Sequence, residues 1–490
     1  MTPIRFDNSY AALPERFYSR IHPERAPKPE LIRLNEPLAR ELGIDIEWLK
    51  PEAGLAMPSG SRMPESSEPI AMAYAGHQFG GWVPQLGDGR AHLIGELIDV
   101  NGKRFDVHLK GSGRTPFSRR GDGKAALGPV LREYIVSEAF AALGIPSTRT
   151  LAAVLTGEDV YRETTLPGAV LTRVAQSHVR VGTFQYFASR NDMEAVAILA
   201  DYVIDRHFPE LQEAKNPYLA LFEAVAMRQA KLIAQWMGVG FIHGVMNTDN
   251  MQLVGETIDF GPCAFMDSFH PDKVFSSIDQ HGRYAWSRQP EITGWNLARL
   301  AETLLPLLHP EAEEAIKRAE GVLERFSEAF RRHYTEVFSN KLGLSGVEAD
   351  AGFIEATLST MAANEVDFTR FFRRLTQLGV AGEGGEKGPL LELFSDMDAG
   401  NRWLEQWLGR WNSVEDREGR LNAMQQANPI YIARNHRVEQ VIEAAINGNF
   451  APFHELVDLL SRPFDAQPGS EGYELPPTPD EEVRQTFCGT

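Results

Sequence analysis

Cysteine is almost missing from this chain: there are two, Cys263 and Cys488, in 490 residues. That leaves too few thiols for a disulfide framework or a cysteine-built zinc site. Long apolar runs are missing as well. No stretch approaches the roughly eighteen apolar residues of a membrane span, so no membrane association is expected. The opening MTPIRFDNSYAALPERFYSR lacks the apolar centre of a secretory leader and is not short of acids. It reads as folded sequence, and the protein as cytoplasmic. A basic surplus is absent too, because 49 Lys+Arg face 67 Asp+Glu and leave a net charge of −18. Nucleic acid is therefore not an expected partner, since binding it needs a cationic face that displaces counterions.

What is present is an ordinary globular composition, 43% hydrophobic and 24% charged, in a chain long enough for roughly two or three packed units. Residues 51–69 are rich in Pro, Ser and Gly and read as a loop, closing an N-terminal extension over 1–69. The Asn-Gly pair in DVNGKR then predicts a β-hairpin. Within RFDVHLK, alternation puts Phe105, Val107 and Leu109 on one face and Asp106, His108 and Lys110 on the other. GPVLREYIVSEAFAALG predicts a helix over 128–143, with Pro129 suited to its start and Gly144 to its end. Leu131, Ile135, Ala139 and Ala142 form one stripe on it, and Glu133, Ser137 and Phe140 a second, so it should pack on two sides. From 190 the pattern is mostly helical, apart from a glycine-rich loop at 379–389 and an extended tail over 463–490. Runs at 251–254 and 257–260, around Gly255 and Glu256, suggest another short hairpin. The fold class expected is α+β, with a strand-rich part over 70–170 and a large helical part over 171–462.

Several groupings carry chemistry. HGVMNTDNMQLVGETIDFGP sets Asp249 and Asn250 one short apolar segment before Asp259. An amide oxygen and a carboxylate can share a hard cation with phosphates, while a neighbouring free carboxylate orients or deprotonates a hydroxyl. Solvated loop acids are the alternative and Asp-Phe-Gly alone is weak, but its position after His243-Gly244 and Asp249-Asn250 favours the functional reading. Lys110 at a strand end and Glu133 on the next helix can pair and turn the ammonium toward phosphate oxygens. An ordinary surface ion pair fits the spacing equally well. Gly87 and Gly89 flank Asp88 in a loop that would let backbone approach a ligand, though a plain hairpin turn is the better reading of this stretch alone. Lys110, Arg114, Arg119, Arg120 and Lys124 crowd a segment holding one acid, Asp122, and Arg173 and Arg180 follow downstream. In so acidic a chain this gathering suggests a polyphosphate pocket. His178 reads as structural.

Glycine loop, strand lysine, helix glutamate, Asp-Asn and Asp-Phe-Gly follow one another in the order of a protein kinase. Two departures stand out: there is no His-Arg-Asp, and the loop is not Gly-x-Gly-x-x-Gly. The chain as a whole resembles the selenoprotein O (YdiU) family. The resemblance rests on FDNSYAALPERFYSR, YAGHQFGGWVPQLGDGRA, LKGSGRTPFSRRGDGKAALGPVLREYIVSEA, LTRVAQSHVRVGTFQYF, HGVMNTDNMQLVGETIDFGP and the terminal CGT. It implies a kinase-like bilobal fold with family-specific extensions. It also implies a protein adenylyltransferase that binds ATP end for end and moves AMP to protein Ser, Thr or Tyr. By motif, Asp249 resembles the proton acceptor, and Asn250 and Asp259 the ligands of Mg2+ or Mn2+. Lys110, positioned by Glu133, would bind phosphate, and Arg173 and Arg180 would line the γ-phosphate end. Gly87, Gly89, Arg90, Asp122, Gly123 and Asp259 resemble the remaining ATP contacts. The partners implied are protein substrates met by a monomer. Cys263 and Cys488 are a candidate redox-regulatory disulfide. The alternatives are a conventional kinase, which the missing His-Arg-Asp disfavours, and a catalytically silent scaffold, which would need none of these residues together.

Overall fold

The Asn-Gly turn forms as the sequence requires. The Asp99 carboxylate closes it by accepting from the backbone N–H of Asn101 at 2.8 Å and of Lys103 at 2.7 Å. The structure, a computed structural model, describes residues 4–49, 52–344 and 350–487. In chain order its strands are Tyr18–Arg20 (β1), Glu30–Leu34 (β2), Ile70–Met72 (β3), Gly76–Gln78 (β4), Gly81–Val83 (β5), Ala91–Ile98 (β6) and Arg104–Lys110 (β7). Ala125–Ala126 (β8), Arg149–Tyr161 (β9), Thr165–Ala175 (β10), Phe241–Ile242 (β11) and Ala264–Phe265 (β12) complete them. An eight-stranded antiparallel sheet runs β1-β3-β6-β7-β10-β9-β2, with β8 on β10. Both edge strands come from the first 69 residues. The stretch after residue 51 is not loop throughout, because it begins with the short helix Glu52–Leu55.

Alternation sorts the two faces of the sheet. Val107, Leu109, Val170 and Val174 pack with Leu38, Leu42 and Met57 on one side. Ala153, Ala169 and Leu171 pack on the other against the helix Leu127–Ala142. That helix is covered on its far side as well. The helices Asn435–Ile446 and Ala451–Leu460 lie against it, Tyr134 meets Phe453 edge-on with ring centroids 5.4 Å apart, and Arg132 donates to Asn435 Oδ1 at 2.9 Å and to the Cys263 carbonyl at 3.2 Å. Burial on both flanks explains why it lacks a clean amphipathic stripe.

Downstream the chain is helical, and Pro217–Gly238, Gln289–Leu308 and Ala312–Leu342 pack on one another. The expected hairpin at 251–260 does not form. Its two runs hydrogen-bond outward instead: Val181 N–H donates to the Met251 carbonyl at 2.9 Å, and Thr148 N–H to the Thr257 carbonyl at 2.9 Å. The segment is buried along nearly its whole length, so neighbours on both sides satisfy its backbone and no self-pairing is needed. The described tail, through residue 487, is extended and broken by several short turns, Glu471–Glu474 among them. Near its end, Thr486 N–H donates to the Phe275 carbonyl at 2.7 Å. Among the described residues no helix is long and apolar enough to cross a membrane.

Candidate active site

β7 ends at Lys110, on the same face as His108, and Arg173 stands opposite His108 on β10. The helix Leu127–Ala142 lays Glu133 across that face. Lys110 Nζ donates to Glu133 Oε2 at 2.6 Å and to Asp259 Oδ1 at 3.0 Å. Arg173 donates to Glu133 Oε1 from Nε at 2.7 Å and from a terminal nitrogen at 2.5 Å. Burial alone would raise the Glu133 carboxyl, but Arg173 and Lys110 outweigh it and hold it below its ordinary value. Asp259 is likewise opposed by burial, yet Lys110, Arg90 and Arg173 hold it far down. The result is a charge-balanced wall of two cations and two carboxylates, buried except for the half-buried Asp259. Asp259 adopts φ +67°, which is uncommon outside glycine and typical of functional sites.

Asp249 faces different surroundings. It sits on the single turn Thr248–Asn250, and burial pushes its carboxyl up to about 6, with Arg180 only partly offsetting the effect. Oδ2 accepts from Gln78 Nε2 at 3.3 Å, while Oδ1 is buried without a partner among the described residues. Gly76 is glycine because a Cβ there would lie 2.5 Å from that Oδ1. Arg180 donates to the Asp249 carbonyl at 2.9 Å and stacks on Tyr74, with its guanidinium carbon 4.4 Å from the ring centroid. Asn250 Nδ2 donates to the Val245 carbonyl at 3.0 Å, and Oδ1 has no hydrogen bond among the described residues.

Gly87, Asp88 and Gly89 do not form a hairpin turn. They lie against Phe117. Gly87 has φ +74°, and a Cβ on it would come within 2.3 Å of the Phe117 ring. Asp88 is buried and accepts from Met72 N–H at 3.0 Å. The loop carrying the basic cluster closes where Gly113 N–H donates to the Gly123 carbonyl at 3.0 Å. Arg162 holds Asp122 at 2.8 and 3.1 Å. The cluster divides there: Lys110 and Lys124 are paired, to Glu133 and Glu158. Arg114, Arg119 and Arg120 are exposed and make no ion pair among the described residues.

These groups surround one cavity of about 790 Å3, a size suited to a nucleotide. Gly87, Gly89, Arg90, Lys110, Asp122 and Gly123 line it on the sheet side. Arg173, Arg180, Asp249, Asn250 and Asp259 complete its interior, and Glu133 lies one layer behind Lys110. Sequence reasoning missed Tyr74, Gln78, Phe117 and Arg162, and assigned no role to Asn247. Asn247 Oδ1 accepts from Phe79 N–H at 3.0 Å and from Tyr284 Oη at 2.7 Å. The only signal for Gln78 was its place in YAGHQFGG. His178 is structural: its Nδ1 lies 2.9 Å from Asp106 Oδ2, and its ring stacks on His108.

Among the described residues no trio of His, Cys, Asp or Glu could hold a metal by itself. Asn250 Oδ1 and the Asp259 carboxylate are two hard oxygens. That donor set fits a cation such as Mg2+, which takes most of its shell from water and phosphate. Cys263 is buried, donates to the Phe260 carbonyl at 3.2 Å, and has its thiol pushed up to about 12 by burial. Cys488 lies outside the described residues.

Comparison with known proteins places this arrangement in context. The family model described as "Protein adenylyltransferase SelO" matches residues 1–461. A "Protein nucleotidyltransferase YdiU" of Rhizobium johnstonii is 58% identical over 488 residues, covering 99% of this chain and 97% of its own. Proteins of the same name from Nitrobacter hamburgensis and Rhizobium meliloti are each 56% identical, over 100% of this chain and 97% and 100% of theirs.

Proposed function

The chain belongs to the SelO family of protein adenylyltransferases, and from that premise we propose that it moves AMP from ATP to Ser, Thr or Tyr hydroxyls of other proteins and releases pyrophosphate. The fold we assign is kinase-like and bilobal, with the sheet and its helix as one lobe and the helical region as the other. One observation carries the reading. The buried Lys110–Glu133–Arg173–Asp259 cluster and the high-pKa Asp249 open into the same cavity.

The roles follow from charge. Lys110 is aimed by Glu133 and binds phosphate. Arg173 and Arg180, buried inside the cavity, meet the terminal phosphate of a triphosphate lying in the reverse of the kinase sense. Their presence favours that reversal, because phosphate oxygens offer these guanidinium groups further charge-assisted hydrogen bonds and a purine offers none of that charge. The acceptor oxygen attacks the α-phosphorus, the bond to the β-phosphate bridging oxygen breaks, and the hydroxyl proton passes to Asp249. With a carboxyl near 6, Asp249 is ionised at neutral pH yet basic enough to receive a proton. Asn250 and Asp259 would hold Mg2+ or Mn2+, which when bound supplies positive charge to the phosphates.

ATP labelled at the α or the γ position tests the reading. Label on protein from α alone is the expected result, and it should vanish in Asp259→Ala. Label from γ alone would make the protein a kinase, and label from neither a scaffold.

A further inference from the structure

The hairpin formed by β4 and β5 belongs to no larger sheet, and it reaches across to the catalytic turn residue by residue. His77 N–H donates to Thr248 Oγ1 at 2.7 Å, Gln78 Nε2 to Asp249 Oδ2 at 3.3 Å, and Phe79 N–H to Asn247 Oδ1 at 3.0 Å. Its position is therefore fixed relative to the base, and anything docked on it is delivered in register with Asp249.

The outer side of this hairpin is aromatic and cationic. Trp82 is 39% exposed. The His77 ring lies 4.8 Å from that of Trp82 and 5.2 Å from that of Trp295. Arg283 and Arg299 both sit over Trp295, at 4.9 and 5.0 Å from its centroid. Arg283 makes no ion pair among the described residues, and its Nε is buried without a partner. Arg299 has a single acidic partner, Glu302, which is 53% exposed and so readily exchanged. Ile278, 60% exposed, lines the neighbouring cavity mouth.

We propose that the outer face of the β4–β5 hairpin, with Trp295, Arg283 and Arg299, is the acceptor-docking shelf, and that it takes an acidic stretch of the target protein beside the reacting hydroxyl. The proposal rests on the transfer reading above. Charge complementarity selects this occupant. In a chain of net charge −18 an acidic partner is repelled at long range, and here it meets two guanidinium forks pre-oriented by stacking and suited to carboxylates. A basic segment would be turned away at the same place. The indole of Trp82 supplies rigid contact area at small entropic cost.

The test uses the full-length protein, Mg2+, α-labelled ATP and three peptides sharing one Ser-containing core flanked by Glu, Gln or Lys. The Glu-flanked peptide should show a KM about tenfold below the Lys-flanked one at low salt, with similar kcat, and the gap should close as salt rises. Arg283→Glu with Arg299→Glu should erase or invert the order. Trp82→Ala, a change at an exposed side chain, should raise KM for all three while ATP affinity stays the same. Should Arg283→Glu fail to fold, Arg299→Glu alone should still narrow the gap. Equal KM across the peptides, or charge reversal shifting all three alike, would overturn the shelf. Self-labelling of the enzyme in the same tubes separates the two ideas. If the enzyme labels itself but discriminates among no peptides, the shelf falls and the transfer reading stands. If no label moves anywhere, the transfer reading falls and the shelf with it.

Discussion

The inner wall of the cavity and its outer rim use charge in opposite ways. On the wall, Lys110, Arg173, Glu133 and Asp259 answer one another at 2.5 to 3.0 Å, with Asp259 alone partly open to the cavity. On the rim, Arg114, Arg119 and Arg120 are solvated and unpaired among the described residues. The wall is therefore built before any ligand arrives, its geometry held by interactions too costly to break singly. The rim contributes attraction that is adjustable and screened by salt. Preorganisation and capture are divided between two parts of one pocket.

The sharpest way to break the comparison is Glu133→Ala. It strands the buried Arg173 and leaves Lys110 with Asp259 alone, so unfolding free energy should drop by about 3–5 kcal/mol in denaturant titration, and transfer should be lost. Asp249→Asn should separate chemistry from stability. Transfer should fall by about 10²–10⁴-fold, while the fold persists by thermal melting.

The pH dependence of stability in metal-free buffer distinguishes the two carboxyl environments further. Asp249 is raised when folded, so between the ordinary Asp value and about 6 the native state holds a proton the unfolded chain has released. Stability from this group falls as pH rises through that window and levels off above about 6, so Asp249→Asn should gain on the parent across the window and hold that gain beyond it. Glu133 is lowered when folded. Its contribution is full above the ordinary Glu value and is lost as pH falls through its depressed folded value, the opposite sign.

Gly76→Ala would press a methyl against Asp249 Oδ1. It should lower kcat about tenfold with KM for ATP unchanged, because misplacing a reacting group costs rate more than binding. Replacing Arg114, Arg119 and Arg120 together by Ala should do the reverse. KM for ATP should rise several-fold, the salt dependence should flatten, and thermal stability should barely move.

Local rules carried the sequence a long way where the determinants were local. Asn101-Gly102 announced the β6–β7 turn, and Pro129 and Gly144 bracketed a helix found at Leu127–Ala142. The hairpin expected at 251–260 failed because periodicity reports burial, not which neighbour supplies the hydrogen bonds. The Lys110–Glu133 pair could not be told from a surface pair by spacing, since only the sheet shows Arg173 arriving from another strand. Gln78 and Asp249 meet across 171 positions of sequence, and no local pattern encodes that contact. The acid–amide pair and the lysine were legible mainly through the family resemblance.

The helix that presents Glu133 is wedged between the sheet and the 435–460 region, with Arg132 and Tyr134 bolted to its far side. Swinging this helix outward would need open room behind it, and that room is filled with protein. Glu133 is therefore carried by an element clamped from both sides, and the carboxylate that aims Lys110 inherits that rigidity.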